Sequence, residues 1–200
     1  MALEPVIAVQ SKLGELEALL HTHDGVQPMV ELLDSLDDDR GLLLPKLVKT
    51  AVELAHLGRS LWVDAHRLTA ASKLRSTPGG VFERLDQIAE DEFGLLAPPV
   101  PVFIPVLAET SSTEALTKVS RLREQDDRPV VVRVRGLALP TAELAARITR
   151  VAELTRANDL HVVIDAGYVK AVNPLLLRNV VDTVRAVAER TSVTLLAGSV

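Results

Sequence analysis

Short apolar runs rich in β-branched residues alternate along the chain with longer stretches whose apolar residues recur at helical spacing. Seven such runs predict strands, at residues 5–10, 27–33, 60–66, 100–108, 129–136, 160–167 and 192–198. The stretches between them predict six helices, near residues 12–21, 42–58, 80–93, 113–125, 141–157 and 174–190. Repeated strand–helix units of about 30 residues imply parallel strands joined by right-handed crossovers.

Two architectures fit this alternation: a closed barrel and an open doubly wound sheet. A TIM barrel has eight strands, eight helices and about 250 residues. Seven strands and six helices in 200 residues therefore favour a TIM-barrel-like α/β fold that is incomplete at its C-terminus. We expect residues 1–200 to form a single, partial domain of this kind. The sequence leaves open whether the native chain continues past Val200.

Composition narrows the classes of function. Aromatic residues make up 2% of the chain, so the core is expected to be aliphatic, as suits strands covered on both faces. The net charge of −5 and the lack of a basic cluster argue against nucleic acid as the main partner. The absence of cysteine excludes disulfides, thiolate metal ligands and a cysteine nucleophile. The sequence carries no secretory signal pattern and no apolar run of membrane-spanning length, so we expect a cytoplasmic protein.

Several predicted strands carry charged side chains on one face only, late in the strand. Side chains of a strand alternate between the two faces, and valines occupy the other face of the fifth strand. In a barrel the polar face points inward, and its carboxyl end forms the mouth where active sites lie. The residues with this placement are Glu31, Asp64, His66, Arg133, Arg135 and Asp165.

The basic members of this set suit an anionic ligand. Guanidinium groups bind phosphate and carboxylate through paired hydrogen bonds, and a lysine just past the sixth strand is placed to join them. The candidate ligand-binding residues are Glu31, Arg133, Arg135 and Lys170. We therefore expect a site for an anionic small molecule or nucleotide at the carboxyl ends of the strands.

The acidic members and the histidine are candidates for catalysis. Carboxylates serve as acids, bases or ligands of a divalent metal, and histidine exchanges protons near neutral pH. The candidate catalytic residues are Asp64, His66 and Asp165, and Glu31 joins the two aspartates as a candidate metal ligand. No catalytic motif selects a reaction, a metal or a cofactor, so the sequence leaves enzyme activity open.

A structural interpretation of the same charges competes with this one. Barrels also bury charges in compensated networks, and Arg133 lies one predicted strand from Asp165, where the two could pair. The protein would then be a non-enzymatic interaction module. Unpaired edges on the first and seventh strands would favour a homodimer or a protein partner. A register that places the charges on the opposite face is the third alternative.

The opening PVIAVQSKLGELEALL, followed by VQPMVELL, resembles the start of the phage and bacterial beta protein family. The matching residues are Lys12, Gly14, Glu15, Leu16, Ala18, Leu19, Pro28, Val30 and Glu31. Later strands resemble the family through Asp64, Arg133, Asp165 and the segment Leu196, Ala197, Gly198 and Ser199. The resemblance implies a TIM-barrel-like fold and an association with phages, mobile elements or defence loci, without an agreed activity. One departure is Gln10, which stands where the family has a lysine.

Overall fold

The computed structural model describes residues 5–37, 41–94, 98–135, 137, 139–157, 159–167, 174–188 and 191–196. Its strands are β1 (Val6–Gln10), β2 (Gln27–Glu31), β3 (Leu61–Asp64), β4 (Phe103–Ala108), β5 (Val130–Val134), β6 (Leu160–Asp165) and β7 (Ser192–Leu196). Its α-helices are α1 (Leu13–Leu19), α2 (Leu43–His56), α3 (Val81–Phe93), α4 (Thr113–Asp126), α5 (Thr141–Thr155) and α6 (Pro174–Val187). The predicted alternation of seven strands and six helices is confirmed.

The strands lie in the order β1-β2-β3-β4-β5-β6-β7, which is also their order in the sequence. The pairings of β1 with β2, β2 with β3, β3 with β4, β5 with β6 and β6 with β7 are parallel. A doubly wound sheet reverses its strand order at a switch point, and no such reversal occurs here. The sequential order therefore supports the TIM-barrel-like alternative, and no eighth strand–helix unit occurs within the described residues.

The chain divides into two compact units. The N-terminal unit comprises residues Glu4–Val106 and Gln125–Arg128, and the C-terminal unit contains residues Leu107–Glu124 and Pro129–Val200. The prediction that residues 1–200 form a single domain is not tested by this division and stays a prediction.

The core of the N-terminal unit lies between its strands and helices α1, α2 and α3. Helix α2 packs against α1 and α3, and its buried residues other than Thr50 are the apolar positions of a helical stripe. Leu16, Leu47, Val63, Leu85 and Phe103 are fully buried in this cluster. Burying a side chain of this size contributes about 1.5–3 kcal/mol, so the aliphatic composition is sufficient to build the core without many aromatic residues.

Arginine side chains fasten the loops and helix ends of both units. Arg59 donates to the carbonyl oxygens of Thr22 and Val26, at 3.3 and 2.7 Å, and so joins the segments that precede β2 and β3. Arg123 is buried and donates to the carbonyls of Thr155 and Arg156, where α5 ends. Carbonyls at a helix end have no partner within the helix, so this contact satisfies groups that the helix itself leaves without a hydrogen bond.

Helix α4 begins with a serine cap. The hydroxyl of Ser112 accepts a hydrogen bond from the backbone N–H of Ala115 at 3.2 Å. Such a bond satisfies one of the free N–H groups of the first turn. The carboxylate of Glu114 faces Lys118, one turn further along, at 2.9 Å.

Candidate functional site

A row of polar residues crosses the carboxyl ends of β1, β2 and β3 in the N-terminal unit. Gln10 is in register with Glu31, and Glu31 is in register with Asp64. Neighbouring parallel strands are about 4.8 Å apart, so the two acidic residues lie side by side on one face of the sheet. Glu31 is 6% exposed and Asp64 is 1% exposed. The structure thus brings two predicted site residues together as a buried pair of carboxyl groups.

Two residues that the sequence analysis did not single out support this pair. Ser11 is fully buried; its N–H donates to the Glu31 carbonyl, and its hydroxyl accepts from the N–H of Leu33 at 2.9 Å. The Nε atom of Arg67 lies 3.4 Å from Oε2 of Glu31, and the arginine side chain is half exposed. A serine directly after β1, or an arginine three residues after Asp64, indicates a site only when the register between the strands is known.

Asp64 also shapes the turn that follows β3. Its Oδ1 atom accepts a hydrogen bond from the backbone N–H of His66 at 2.9 Å. This is an Asx turn, in which a side-chain oxygen replaces a backbone acceptor. The side chain of His66 is exposed at the start of the long loop between β3 and α3. His66 therefore contacts Asp64 through its backbone N–H.

The loop after β3 is held against the turn that follows β2. Asp34 accepts hydrogen bonds from the N–H and the hydroxyl of Thr69, at 2.8 and 2.7 Å. The hydroxyl bond and then the backbone bond hold the pKa of the Asp34 carboxyl below its ordinary value. Hydrogen bonds to the charged form of a carboxyl favour that form, so this contact fixes the loop that carries His66 and Arg67.

A second charged cluster lies at the carboxyl ends of β5 and β6 in the C-terminal unit. The Nε and Nη2 atoms of Arg133 lie 2.9 and 2.7 Å from Oδ2 of Asp165. The Nε atom of Arg135 lies 3.8 Å from the same oxygen. The side chains of Arg133, Asp165 and Arg135 are 7%, 12% and 27% exposed. Arg133, Arg135 and Asp165 therefore meet on one face of the sheet, and their role in ligand binding stays a prediction.

Asp165 forms the same type of turn as Asp64. Its Oδ1 atom accepts the backbone N–H of Gly167 at 2.8 Å. Gly167 has a φ of +63°, a left-handed conformation that glycine adopts without steric cost. Both oxygens of Asp165 therefore accept hydrogen bonds from the chain, one from the turn and one from Arg133.

Two further polar residues of the C-terminal unit were missed by the sequence analysis. His161 lies on the same face of β6 as Asp165, and its Nε2 atom is 2.8 Å from the hydroxyl of Thr194 on β7. Burial lowers the pKa of the His161 imidazole, which favours the neutral ring. Glu109, which directly follows β4, is 6% exposed. The strand predicted for this region ended at residue 108, so Glu109 was not among the strand residues from which the candidates were taken.

A third ion cluster lies at the amino ends of the strands. Arg128, two residues before β5, is 2.8 Å from Oδ2 of Asp86 on α3, pairs with Asp126, and donates to the Phe103 carbonyl at 3.2 Å. Burial raises the pKa of Asp86 to about 6, against the attraction of Arg128. One arginine thus serves two carboxylates, and the added negative charge of Asp126 contributes to the rise.

Two remaining predictions concern metal binding and Lys170. Within the described residues, no group of three or more histidine, aspartate or glutamate side chains is placed to hold a metal ion. Lys170 lies outside the described residues.

No helix of the described part is both long enough and apolar enough to cross a membrane.

Sequential parallel βα units, with charged side chains gathered at the carboxyl ends of the strands, define a TIM-barrel-like α/β protein. The family model described as Beta protein matches residues 5–200, and the chain belongs to this family. The resemblance inferred from the sequence is confirmed. Comparison with curated proteins and with solved structures gives no match.

Proposed function

We propose that the C-terminal unit binds an anionic small molecule, or the phosphate of a nucleotide, at the carboxyl ends of β5 and β6. The observation that supports this proposal is the arrangement of Arg133, Arg135 and Asp165, in which two guanidinium groups share one carboxylate. Guanidinium groups bind phosphate and carboxylate in a planar, directional way. The carboxyl ends of strands are also where barrels of this type place their sites.

The proposal gives each residue a role that follows from its contacts. Arg135 is the more exposed arginine and the one farther from Asp165, so it is the group that reaches the ligand. Arg133 contributes positive charge from a buried position. Asp165 orients the arginines, because both of its oxygens already accept hydrogen bonds.

Catalytic roles for Asp64 and His66 remain proposals of the same kind. The buried Asp64 beside Glu31 has the acceptor groups that an acid–base or cation-binding role requires. The exposed ring of His66 is accessible for proton exchange with a substrate. Association with phages, mobile elements or defence loci is an expectation from the family resemblance, and so are Lys170 as a ligand-binding residue and a cytoplasmic location.

Thermal unfolding of the full chain with a panel of anions tests the proposal. The panel contains acetate, methanesulfonate, inorganic phosphate and a nucleoside monophosphate. At about 100 times its dissociation constant, a bound ligand stabilises the folded state by about 2.7 kcal/mol, so at least one anion should raise Tm by several degrees. Arg135→Gln should abolish this increase. Arg178→Gln, which removes an exposed arginine paired with Asp182 on α6, should leave it unchanged.

If no member of the panel raises Tm, or if Arg135→Gln and Arg178→Gln respond alike, the anion-binding proposal is wrong. The comparison is matched in chemistry, because each variant removes one guanidinium from the C-terminal unit. Only the position of that guanidinium relative to Asp165 differs between them.

Exposed apolar side chains favour a second candidate function, a non-enzymatic interaction module whose inner charges are structural. Leu175, Leu177 and Val181 on α6 and Leu195 on β7 are large hydrophobic residues with exposed fractions between 37% and 66%. Exposed apolar residues on two successive elements suit a protein interface. We expect a homodimer or a complex with a protein partner in this case, and a monomer by light scattering that is unaffected by Leu177→Lys would contradict it.

A further inference from the structure

Glu109 carries a carboxyl group in a recess at the carboxyl end of β4. The residue directly follows the strand and is 6% exposed. Within the described part of the chain, its carboxyl takes part in no hydrogen bond and no ion pair. Its oxygens are not among the described side-chain atoms that are both sealed from solvent and unbonded, so they keep contact with solvent. The side chain is therefore buried, and its polar end remains accessible.

A carboxyl group in such a position is costly to the folded protein. It loses much of its hydration and receives no hydrogen bond in exchange. The carboxyl groups of Glu31, Asp86 and Asp165 are of comparable burial, with side chains 8–16% exposed, and each faces an arginine. Glu109 differs from them, and a buried polar group without a protein contact needs another explanation. Contact with a ligand is such an explanation.

The turn that carries Glu109 is fixed by the surrounding chain. The N–H of Ser111 donates to the Ala108 carbonyl at 3.0 Å and closes the turn around Glu109. Arg150 on α5 donates to the Ser111 carbonyl at 3.1 Å and to the Thr113 hydroxyl at 2.9 Å. These contacts hold the backbone of Glu109 in place before any ligand arrives, which a binding group requires.

Arg135 holds the matching position on the next strand. Strands β4 and β5 are neighbours in the sheet, and the single helix between them is the type of crossover that joins parallel strands. Glu109 is the first residue after β4 and Arg135 the first after β5, and both belong to the C-terminal unit. Neighbouring strands are about 4.8 Å apart, so one small ligand at this edge of the sheet can contact both side chains.

We propose that the ligand of this site is zwitterionic, with an anionic group that binds Arg135 and a protonated amine that binds Glu109. The inference rests on the proposed function and narrows the anionic ligand to a chemical class. An ammonium group has three N–H donors and no acceptor, and its hydrogen bonds to a carboxylate are assisted by charge. It therefore satisfies Glu109 in both charge and hydrogen bonding.

Isothermal titration of the unmodified full chain with three isosteric pairs tests this inference. The pairs are glycine and propionate, β-alanine and butyrate, and 4-aminobutyrate and valerate. Within each pair an ammonium group replaces a methyl group, and the series varies the distance between amine and carboxylate. At about pH 7 the amines are protonated and the carboxylates are ionised. We expect at least one amino acid to bind at least about tenfold more tightly than its partner, because a largely buried charge contact is strong.

Glu109→Gln provides the second arm of the experiment, with Glu114→Gln as the matched control. Glu109→Gln should remove the preference for the amine and leave binding of the simple carboxylates in place. Glu114 is an exposed carboxylate on α4 that pairs with Lys118, so its replacement should preserve the preference. Without ligand, Glu109→Gln should not lower Tm, because the replaced carboxyl makes no contact that stabilises the fold. A clear fall in Tm would assign Glu109 a structural role and contradict the inference.

The outcomes separate this inference from the proposed function. If none of the six compounds binds, or if they bind equally well to Arg135→Gln, the anion site itself is wrong. If the carboxylates bind through Arg135 and no amino acid is preferred to its partner, only the zwitterionic ligand is overturned. A preference that persists in Glu109→Gln overturns the role of Glu109, and a preference lost in that variant alone supports it.

Discussion

The carboxyl ends of β3 and β6 use the same local device next to opposite charges. Each strand ends in Asp-Ala, with Asp64 in one and Asp165 in the other, and each aspartate accepts the backbone N–H of the residue two positions later. The strand before β3 places Glu31 beside Asp64, whereas the strand before β6 provides Arg133 for Asp165. The first region therefore places two carboxyl groups side by side, with the half-exposed Arg67 near one of them, whereas the second places a buried arginine against a single carboxylate.

The two regions show that the turn motif does not determine the electrostatics of a strand end. Glu31 lies directly opposite Asp64 in the register. Arg133 lies opposite Val163, two residues before Asp165, and its long side chain reaches the aspartate diagonally. Diagonal pairs in a sheet are within reach of long side chains. The neighbouring strand therefore determines which charged group lies beside each aspartate, although the turn is formed by residues close in the sequence.

The largest expected effect comes from removing the compensating charge of the second region. Arg133→Met should lower the free energy of unfolding by about 3 kcal/mol, because it leaves Asp165 largely buried without its main cation. Glu31→Gln should change it by about 1 kcal/mol or less, since it removes one of two adjacent buried carboxyl charges and keeps a hydrogen-bonding side chain. Urea unfolding followed by circular dichroism measures both.

Equal losses for the two variants would contradict the comparison. Such a result would mean that the Glu31–Asp64 pair is compensated as fully as the pair of Arg133 and Asp165. Arg67→Gln serves as a control for the first region, because Arg67 pairs with Glu31 and its side chain is half exposed.

A smaller effect, dependent on pH, is expected where one arginine serves two carboxylates. The pKa of Asp86 is raised by burial to about 6 from an ordinary value of 3.8, so the folded state holds this proton more tightly than the unfolded chain. The stability that Asp86 contributes is fully present below about pH 4 and is lost as the pH rises through 6. Asp86→Asn, which carries no charge at any pH, should therefore gain about 2 kcal/mol relative to the unmodified chain between pH 4 and 7.

Chemical unfolding of both proteins at several pH values measures this gain. Subtracting one free energy of unfolding from the other at each pH removes the contributions of other titrating groups. A difference that does not change with pH would contradict the raised pKa. Glu90→Gln is the milder control, because Glu90 adds only a small part of the rise at Asp86.

The smallest effect is expected away from all three ion clusters, at two buried threonines in helices. The Thr50 hydroxyl in α2 is buried, with no hydrogen-bond partner in the described part of the chain. Thr50→Val should stabilise the protein by about 1 kcal/mol, because it removes a buried hydroxyl that gains nothing in the folded state. Thr155 in α5 is equally buried, but its hydroxyl donates to the Val151 carbonyl at 2.8 Å.

Thr155→Val is therefore the matched control and should destabilise the protein by about 1 kcal/mol. Thermal unfolding of the pair provides the measurement. If both variants change the free energy of unfolding in the same direction, the hydrogen bond of the lost hydroxyl does not determine that change. The stability effects expected above for the charged residues would then have to be compared with a different reference.

Much of the fold could be predicted from the pattern of apolar residues. Strand and helix boundaries agree with the expected ranges to within a few residues, because alternation in strands and spacing in helices are local properties. The polar face of β5 was also predictable, since Arg133 follows alternating valines. Ser11, Arg67 and His161 were not, because each matters through a neighbour on another strand or loop.

The amino-acid sequence is sufficient to predict the alternation of strands and helices, the aliphatic core and the face on which each charged strand residue lies. Which charges meet depends on the fold: Glu31 lies beside Asp64, Arg133 pairs with Asp165, and Arg128 pairs with Asp86 and Asp126. The physical reason is one of range. Periodicity is imposed by the backbone within a single element, whereas an ion pair depends on the register between elements and on the reach of a side chain across it.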